Sequence, residues 1–158
     1  MELNQKVSDF TLKTDEDKTT SLSDYAGKPV VLFFYPRADT PGCTIEACGF
    51  RDTFKKLQAA GAVVLGISRD TPQAQAKFRA KYDLPYTLLA DVDEKVCNLF
   101  GVMKEKNMYG KKVMGIERTT FVIGPDQTLL HIFPKVTPEG HAEEVLALIK
   151  EWNKAHKK

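Results

Sequence analysis

Short apolar runs separated by polar segments predict that strands and helices alternate along this chain. The run 29–35, Pro-Val-Val-Leu-Phe-Phe-Tyr, is apolar on both faces, which is typical of a buried central strand. The run 62–68 has the same character and predicts a second buried strand. The segment 41–60 between them predicts a helix that ends at Gly61.

The rest of the pattern predicts shorter elements of both kinds. We expect strands at 9–12, 18–22, 86–90, 119–123 and 128–133, and helices at 71–82, 93–100 and 138–156. Strand–helix alternation followed by a strand pair and a last helix specifies an α/β domain with a mixed central sheet flanked by helices. In such sheets the functional site is expected at the carboxyl ends of the strands.

The amino-acid composition excludes several classes of protein. The 158 residues are 42% hydrophobic, which fits a single domain spanning residues 1–158 with a core of its own. The 23 basic and 21 acidic residues are dispersed, which argues against a nucleic-acid binder. Neither a signal peptide nor a membrane span is evident. Three cysteines, an odd number at low density, indicate a reducing compartment, and we expect a cytoplasmic protein.

Cys43 follows the first buried run and falls at the third position of the helix that Thr40 and Pro41 begin. Backbone N–H groups in a first helical turn lack intrahelical partners, and the helix dipole adds partial positive charge. Both effects favour the thiolate, the reactive form of cysteine. We interpret Cys43 as a nucleophile; the alternative, a buried structural cysteine, fits poorly beside Gly42 and Thr44.

Cys48 lies five residues after Cys43 on the same predicted helix. Ideal geometry separates the two α-carbons by about 8–9 Å and points the side chains ~140° apart. A disulfide needs α-carbons within ~7 Å, so the thiols cannot bond while the helix is intact. Two interpretations stay open: Cys48 simply faces the core, or the first turns unwind after Cys43 is oxidised and Cys48 attacks the sulfenic acid.

Arg118 opens the predicted strand 119–123 at the site end of the sheet. A fixed guanidinium there keeps a neighbouring thiolate ionised and steadies a negatively charged leaving oxygen. The alternative is a surface ion pair with Glu117 or Glu46. Arg51, on the Cys43 helix, is a competing cation.

Two loop residues complete the candidate site, and a third cysteine lies outside it. The Thr40 hydroxyl is expected to cap the helix and lies within hydrogen-bonding range of the Cys43 position; a cap with no further role is the alternative. Pro36 is expected to close the loop over the site and removes a backbone N–H that would otherwise bind water. Cys97 is expected to be a buried free thiol.

The segment 34–52, Phe-Tyr-Pro-Arg-Ala-Asp-Thr-Pro-Gly-Cys-Thr-Ile-Glu-Ala-Cys-Gly-Phe-Arg-Asp, resembles the peroxiredoxins, and within them the bacterioferritin-comigratory-protein or PrxQ subgroup. The resemblance runs nearly the whole chain and includes 65–68, 86–91 and 115–121. A lone pair of cysteines at this spacing would be weak evidence, whereas the combined pattern with Pro36, Thr40 and Arg118 is specific.

The resemblance implies a thioredoxin-like fold and reduction of hydrogen peroxide and organic hydroperoxides without metal, haem or flavin. It implies that Cys43 is the peroxidatic and Cys48 the resolving cysteine. Pro36, Thr40 and Arg118 match the remaining active-site positions. It also implies that thioredoxin or a glutaredoxin-type donor reduces the disulfide, and that the protein is a monomer.

Two other functions compete with the thiol peroxidase. A thioredoxin-type thiol–disulfide oxidoreductase needs a cysteine three residues before Cys43, where this chain has Thr40. A peroxide-sensing relay, which passes oxidation to a partner, differs only in whether a reductant sustains turnover. We therefore expect a peroxidase, with the relay as the alternative.

Overall fold

A computed structural model describes residues 2–156 of the chain, in which a seven-stranded mixed sheet stands beside a separate two-stranded hairpin. In chain order the strands are β1 (Thr11–Thr14), β2 (Thr19–Ser21), β3 (Val30–Phe34), β4 (Val63–Ser68), β5 (Thr87–Ala90), β6 (Met103–Met108), β7 (Lys111–Ile116), β8 (Thr119–Ile123) and β9 (Leu129–Phe133). The sheet order is β2-β1-β5-β4-β3-β8-β9, and β6 pairs with β7. The predicted α/β architecture with a mixed central sheet is confirmed.

β3 lies inside the sheet because all five of its side chains are apolar and buried. It pairs in parallel with β4 and antiparallel with β8. The register places Phe34 opposite Thr119. Arg118, the residue before β8, therefore reaches the sheet end at which the chain leaves β3.

Four α-helices occur among the described residues: α1 (Pro41–Ala59), α2 (Pro72–Lys81), α3 (Lys95–Leu99) and α4 (His141–Ala155). Both α1 and α2 start with proline after a threonine, as the sequence predicts. The Thr71 hydroxyl oxygen accepts a hydrogen bond from the Ala74 N–H at 3.1 Å, so this cap is confirmed. Gly61, with φ of +86°, follows the end of α1.

The sheet separates two hydrophobic cores because side chains alternate across a strand. One core joins Phe33 of β3 to α1 and α4, and the Phe33 ring stacks on Phe50 with centroids 4.6 Å apart. The other core joins Phe34 of β3 to Val96 and Cys97 of α3. Cys43 belongs to the first core and Cys97 to the second, so the sheet lies between these two thiols.

Several predicted boundaries need correction. The hairpin β6–β7 was not predicted, because its run of lysines and glutamate shows no clean apolar alternation. α4 begins at His141 and not at Pro138, because Gly140 adopts a left-handed conformation, φ +75°, immediately before it. The first hairpin, expected at 9–12 and 18–22, occupies 11–14 and 19–21.

Among the helices described, none combines the length and apolar composition needed to cross a bilayer. Of the predicted domain 1–158, Met1, Lys157 and Lys158 lie outside the described residues.

Candidate active site

Cys43 lies where the sequence predicts it, at the third position of α1 and just beyond the carboxyl end of β3. Thr40 occupies the N-cap position with extended backbone (φ −95°, ψ 156°), and Pro41 is the first helical residue. The Cys43 residue is only 1% exposed and its thiol is free. The thiol thus combines burial with the field of a helix amino terminus.

Arg118 contacts Cys43 directly. Its Nη1 donates to the Cys43 Sγ at 3.4 Å and to the Glu46 Oε1 at 2.9 Å. The contact that the predicted electrostatic role needs and the alternative ion pair with Glu46 therefore occur together. The ion pair is buried and not on the surface, since 15% of the Arg118 side chain and none of the Glu46 side chain are exposed.

Glu46 is a site residue that the sequence indicated only as an alternative partner for Arg118. Burial raises the pKa of Glu46 to about 7, although the Arg118 guanidinium opposes that shift. Its second oxygen, Oε2, is buried and has no hydrogen-bond partner among the described residues. The carboxylate and the Cys43 sulfur, one helical turn apart, share a single guanidinium.

Gly42 allows the guanidinium to approach α1. A Cβ atom at this position would lie 3.0 Å from Arg118 Nη2 and 3.7 Å from Pro138 Cγ. The first distance is shorter than ordinary carbon–nitrogen packing, so a side chain here would push Arg118 away. Nothing in the sequence alone indicates this contact.

Thr40 is the predicted N-cap residue, but the predicted capping hydrogen bond of its hydroxyl is wrong. The Thr40 hydroxyl donates to the Arg37 carbonyl oxygen at 2.9 Å and makes no capping hydrogen bond to α1. This bond closes the turn that carries the chain from β3 into the helix. Among the described residues, no hydrogen bond joins the Thr40 hydroxyl to the Cys43 sulfur.

Two aspartates missed by sequence reasoning fix the loop after Pro36, which is itself half-buried in a bend. Asp70 Oδ2 accepts the Ala38 N–H at 2.8 Å and the Ser68 hydroxyl at 2.6 Å. Asp39, with φ of +60°, accepts the Tyr82 hydroxyl and the Lys81 ammonium. Neither role could be recognised from local pattern, since Asp70 lies 32 residues from Ala38 and Asp39 lies 42 and 43 residues from Lys81 and Tyr82.

Cys48 is half-buried on α1, and the helix runs unbroken through both cysteines. No disulfide joins it to Cys43, as helix geometry requires. Burial raises the pKa of the Cys48 thiol. Arg51 is not a cation of the Cys43 site: its Nε bonds to Asp52 and its Nη1 donates to the Tyr82 carbonyl oxygen.

Cys97 is fully buried and free, as predicted. Burial and the neighbouring Asp91 raise the pKa of the Cys97 thiol far above its ordinary value. The Cys97 N–H donates to an Asp91 carboxylate oxygen at 2.7 Å. A thiol held protonated on the far side of the sheet is chemically inert.

Comparisons with known proteins show which family the chain is similar to. The AhpC/TSA family matches residues 3–132. A putative peroxiredoxin Bcp of Coxiella burnetii is 53% identical over 146 residues, which cover 92% of this chain and 97% of that protein. The peroxiredoxin Bcp of Bacillus subtilis is 43% identical over 151 residues, which cover 96% of each.

Solved structures with the same fold are peroxiredoxins too. Peroxiredoxin Q of Xanthomonas campestris superposes with a TM-score of 0.86 at 42% identity, covering 90% of both chains. A mutant PrxQ of Xylella fastidiosa superposes with a TM-score of 0.91 at 36% identity, covering 100% of this chain and 98% of that one.

The chain belongs to the AhpC/TSA family, whose members here share its thioredoxin-like fold. Within that family it is a peroxiredoxin of the Bcp/PrxQ group, and hence a thiol-dependent peroxidase. The redox-relay alternative is not favoured by these relatives.

Proposed function

We propose that Cys43 is the peroxidatic cysteine and Cys48 the resolving cysteine of this peroxidase, with Arg118, Thr40 and Pro36 completing the site. The observation that carries the proposal is the 3.4 Å contact between Arg118 Nη1 and Cys43 Sγ at a helix amino terminus. A fixed guanidinium and free backbone N–H groups favour the thiolate and the developing charge on a peroxide oxygen.

In the first step the Cys43 thiolate attacks one oxygen of the hydroperoxide. An S–O bond forms, the O–O bond breaks, and the two electrons come from sulfur. The leaving oxygen takes a proton and departs as water or alcohol, which leaves Cys43 as a sulfenic acid. Arg118 steadies the departing negative charge, while the turn closed by Thr40 and Pro36 orients the substrate.

In the second step the Cys48 sulfur attacks the Cys43 sulfenic sulfur. An S–S bond forms, and the hydroxide that leaves takes up the Cys48 thiol proton as water. Because both cysteines lie on one continuous helix, its first turns must unwind before the sulfurs meet. Unwinding also removes the burial that raises the pKa of Cys48.

A dithiol donor of the thioredoxin or glutaredoxin type then reduces the disulfide by thiol–disulfide exchange. Hydrogen peroxide and organic hydroperoxides are the proposed substrates; the Xanthomonas campestris bacterioferritin comigratory protein is described as having alkyl peroxide reduction activity. We propose a single-domain monomer, because both reacting cysteines lie on one helix. Three free thiols support a reducing, cytoplasmic location.

A steady-state assay of thioredoxin oxidation by several hydroperoxides tests the assignment. Cys43→Ser should abolish turnover, and retained activity would refute the peroxidatic role. Cys48→Ser should keep the first oxidation fast, accumulate sulfenic acid and lose most turnover. Peptide mapping of the oxidised wild type should find Cys43 joined to Cys48; a Cys43–Cys97 peptide would transfer the resolving role.

A further inference from the structure

We propose that Tyr86 is a positioning residue that keeps α1 closed between the two reacting cysteines, and that its bond to α1 sets the rate of disulfide formation. The Tyr86 hydroxyl donates to the Ala47 carbonyl oxygen at 2.7 Å, and both residues are buried. This inference rests on the proposed pairing of Cys43 with Cys48.

Ala47 lies between the two cysteines, in the part of α1 that must change. With the helix intact the Cys43 and Cys48 side chains diverge, so the backbone at Ala47 must rotate before an S–S bond forms. The Ala47 carbonyl oxygen then no longer points towards the Tyr86 hydroxyl. The hydrogen bond from Tyr86 therefore exists in the closed helix and is lost in the unwound one.

Tyr86 does not follow the helix when it unwinds. The residue directly precedes β5, and its ring packs on Phe33 of β3 with centroids 5.7 Å apart. Its contact with α1, on Phe54 with centroids 6.2 Å apart, lies beyond Cys48 and outside the part that unwinds. Burial holds the pKa of Tyr86 well above its ordinary value, so its hydroxyl stays a donor. The donor is therefore fixed to the sheet while its acceptor moves.

The same segment of chain binds the Cys43 region at two further points. The Tyr82 hydroxyl donates to Asp39 Oδ1 at 2.7 Å, ahead of Cys43, and the Tyr82 carbonyl accepts from Arg51 Nη1 at 2.9 Å, beyond Cys48. These two contacts are partly exposed, whereas the Tyr86 bond is buried and lies between the cysteines. A buried hydrogen bond contributes more than one in contact with water.

Tyr86→Phe removes the hydroxyl and retains the ring. Loss of one net hydrogen bond should raise the rate of disulfide formation roughly two- to tenfold. The oxidation of Cys43 by peroxide should be unchanged, because the Tyr86 hydroxyl bonds to neither Cys43 nor Arg118. Faster resolution competes with a second peroxide, so less sulfinic acid should form at high peroxide.

Two measurements on the reduced full-length protein test the proposal. Rapid quenching after one equivalent of peroxide, with trapping of sulfenic acid and of free thiols, gives the two rates separately. Hydrogen exchange of the amides of residues 44–48 reports helix opening without any chemistry. Tyr25→Phe is the matched control. The Tyr25 hydroxyl accepts a hydrogen bond from the Thr20 hydroxyl, and this bond does not involve α1.

Faster exchange at residues 44–48 together with faster disulfide formation, in Tyr86→Phe and not in Tyr25→Phe, supports the proposal. Unchanged exchange at these amides overturns it. Faster exchange with an unchanged rate of Cys43–Cys48 bonding also overturns the claim that this bond sets the rate. Peptide mapping of the oxidised wild type tests the pairing separately: a disulfide between Cys43 and a cysteine other than Cys48 would refute the proposed pairing.

Discussion

Gly42 and Arg118 are in contact across the active site: the space that a Cβ of Gly42 would fill lies 3.0 Å from Arg118 Nη2. The guanidinium therefore rests against the backbone of the first turn of α1. That approach lets Nη1 reach the Cys43 sulfur and the Glu46 carboxylate from one position. The missing side chain at 42 is therefore part of the geometry that brings one guanidinium to both groups.

Gly42→Ala should slow the oxidation of Cys43 by peroxide. The added methyl group displaces the guanidinium by a fraction of an ångström, and small misplacements of catalytic groups cost up to about 10²-fold in rate. We expect a loss of about tenfold in the second-order rate constant, measured by rapid mixing of reduced protein with limiting hydrogen peroxide.

Gly49→Ala is the control for this substitution. A Cβ at Gly49 would lie 3.7 Å from the Ala142 Cβ, which is an ordinary contact. Gly49→Ala should strengthen the helix by about 1 kcal/mol, which a denaturation curve reports. If the rate constant for Cys43 oxidation fell by the same factor in both variants, the cause would be helix stability and not the position of Arg118.

Arg118→Ala should slow the oxidation of Cys43 by peroxide about 10²- to 10³-fold, the range seen when one preorganised donor is removed. Rapid mixing of the reduced protein with peroxide measures this rate. The double variant Arg118→Ala, Glu46→Gln avoids leaving a buried carboxylate alone. Wild-type oxidation rates in the double variant would contradict the role of Arg118.

Cys97→Ala should leave peroxidase turnover unchanged. The Cys97 sulfur lies on the opposite face of the sheet from Cys43, and burial keeps it protonated. Removal of its sulfur from the core should lower the free energy of unfolding by about 1–2 kcal/mol. If the fully folded variant showed reduced turnover in the thioredoxin-coupled assay, Cys97 would have a redox role.

Much of the site was predictable because it depends on local signals. Thr40 and Pro41 mark the start of α1, which fixes Cys43 at the helix amino terminus. The five-residue spacing fixes the separation of Cys43 and Cys48. Arg118 was predictable because a charged residue directly precedes a predicted strand at the site end of the sheet.

The remaining features depend on tertiary contacts that no local pattern encodes. Glu46 looks like an ordinary helical glutamate until α1 docks on the sheet and buries it against Arg118. The contact at Gly42 depends on the antiparallel register of β3 and β8. The Thr40 hydroxyl donates to the Arg37 carbonyl oxygen, and in that orientation its oxygen accepts no hydrogen bond from an N–H group of α1.

Glu46→Gln should change how stability depends on pH. The pKa of Glu46 is raised from about 4.5 to about 7 by burial, so between these values the folded protein binds the proton more tightly than the unfolded chain. The contribution of Glu46 to the free energy of unfolding is therefore fully present below pH 4.5 and is lost as the pH rises towards 7. The loss amounts to about 3 kcal/mol in wild type and is absent in the glutamine variant.

Urea denaturation of the reduced protein at several pH values across this window measures the difference. The free energy of unfolding of wild type should fall relative to Glu46→Gln as the pH rises. Glu151→Gln, at an exposed position on α4, is the control and should follow the wild-type curve. Parallel curves for wild type and Glu46→Gln would mean that Arg118 keeps the Glu46 carboxylate ionised throughout, and that burial does not dominate this site.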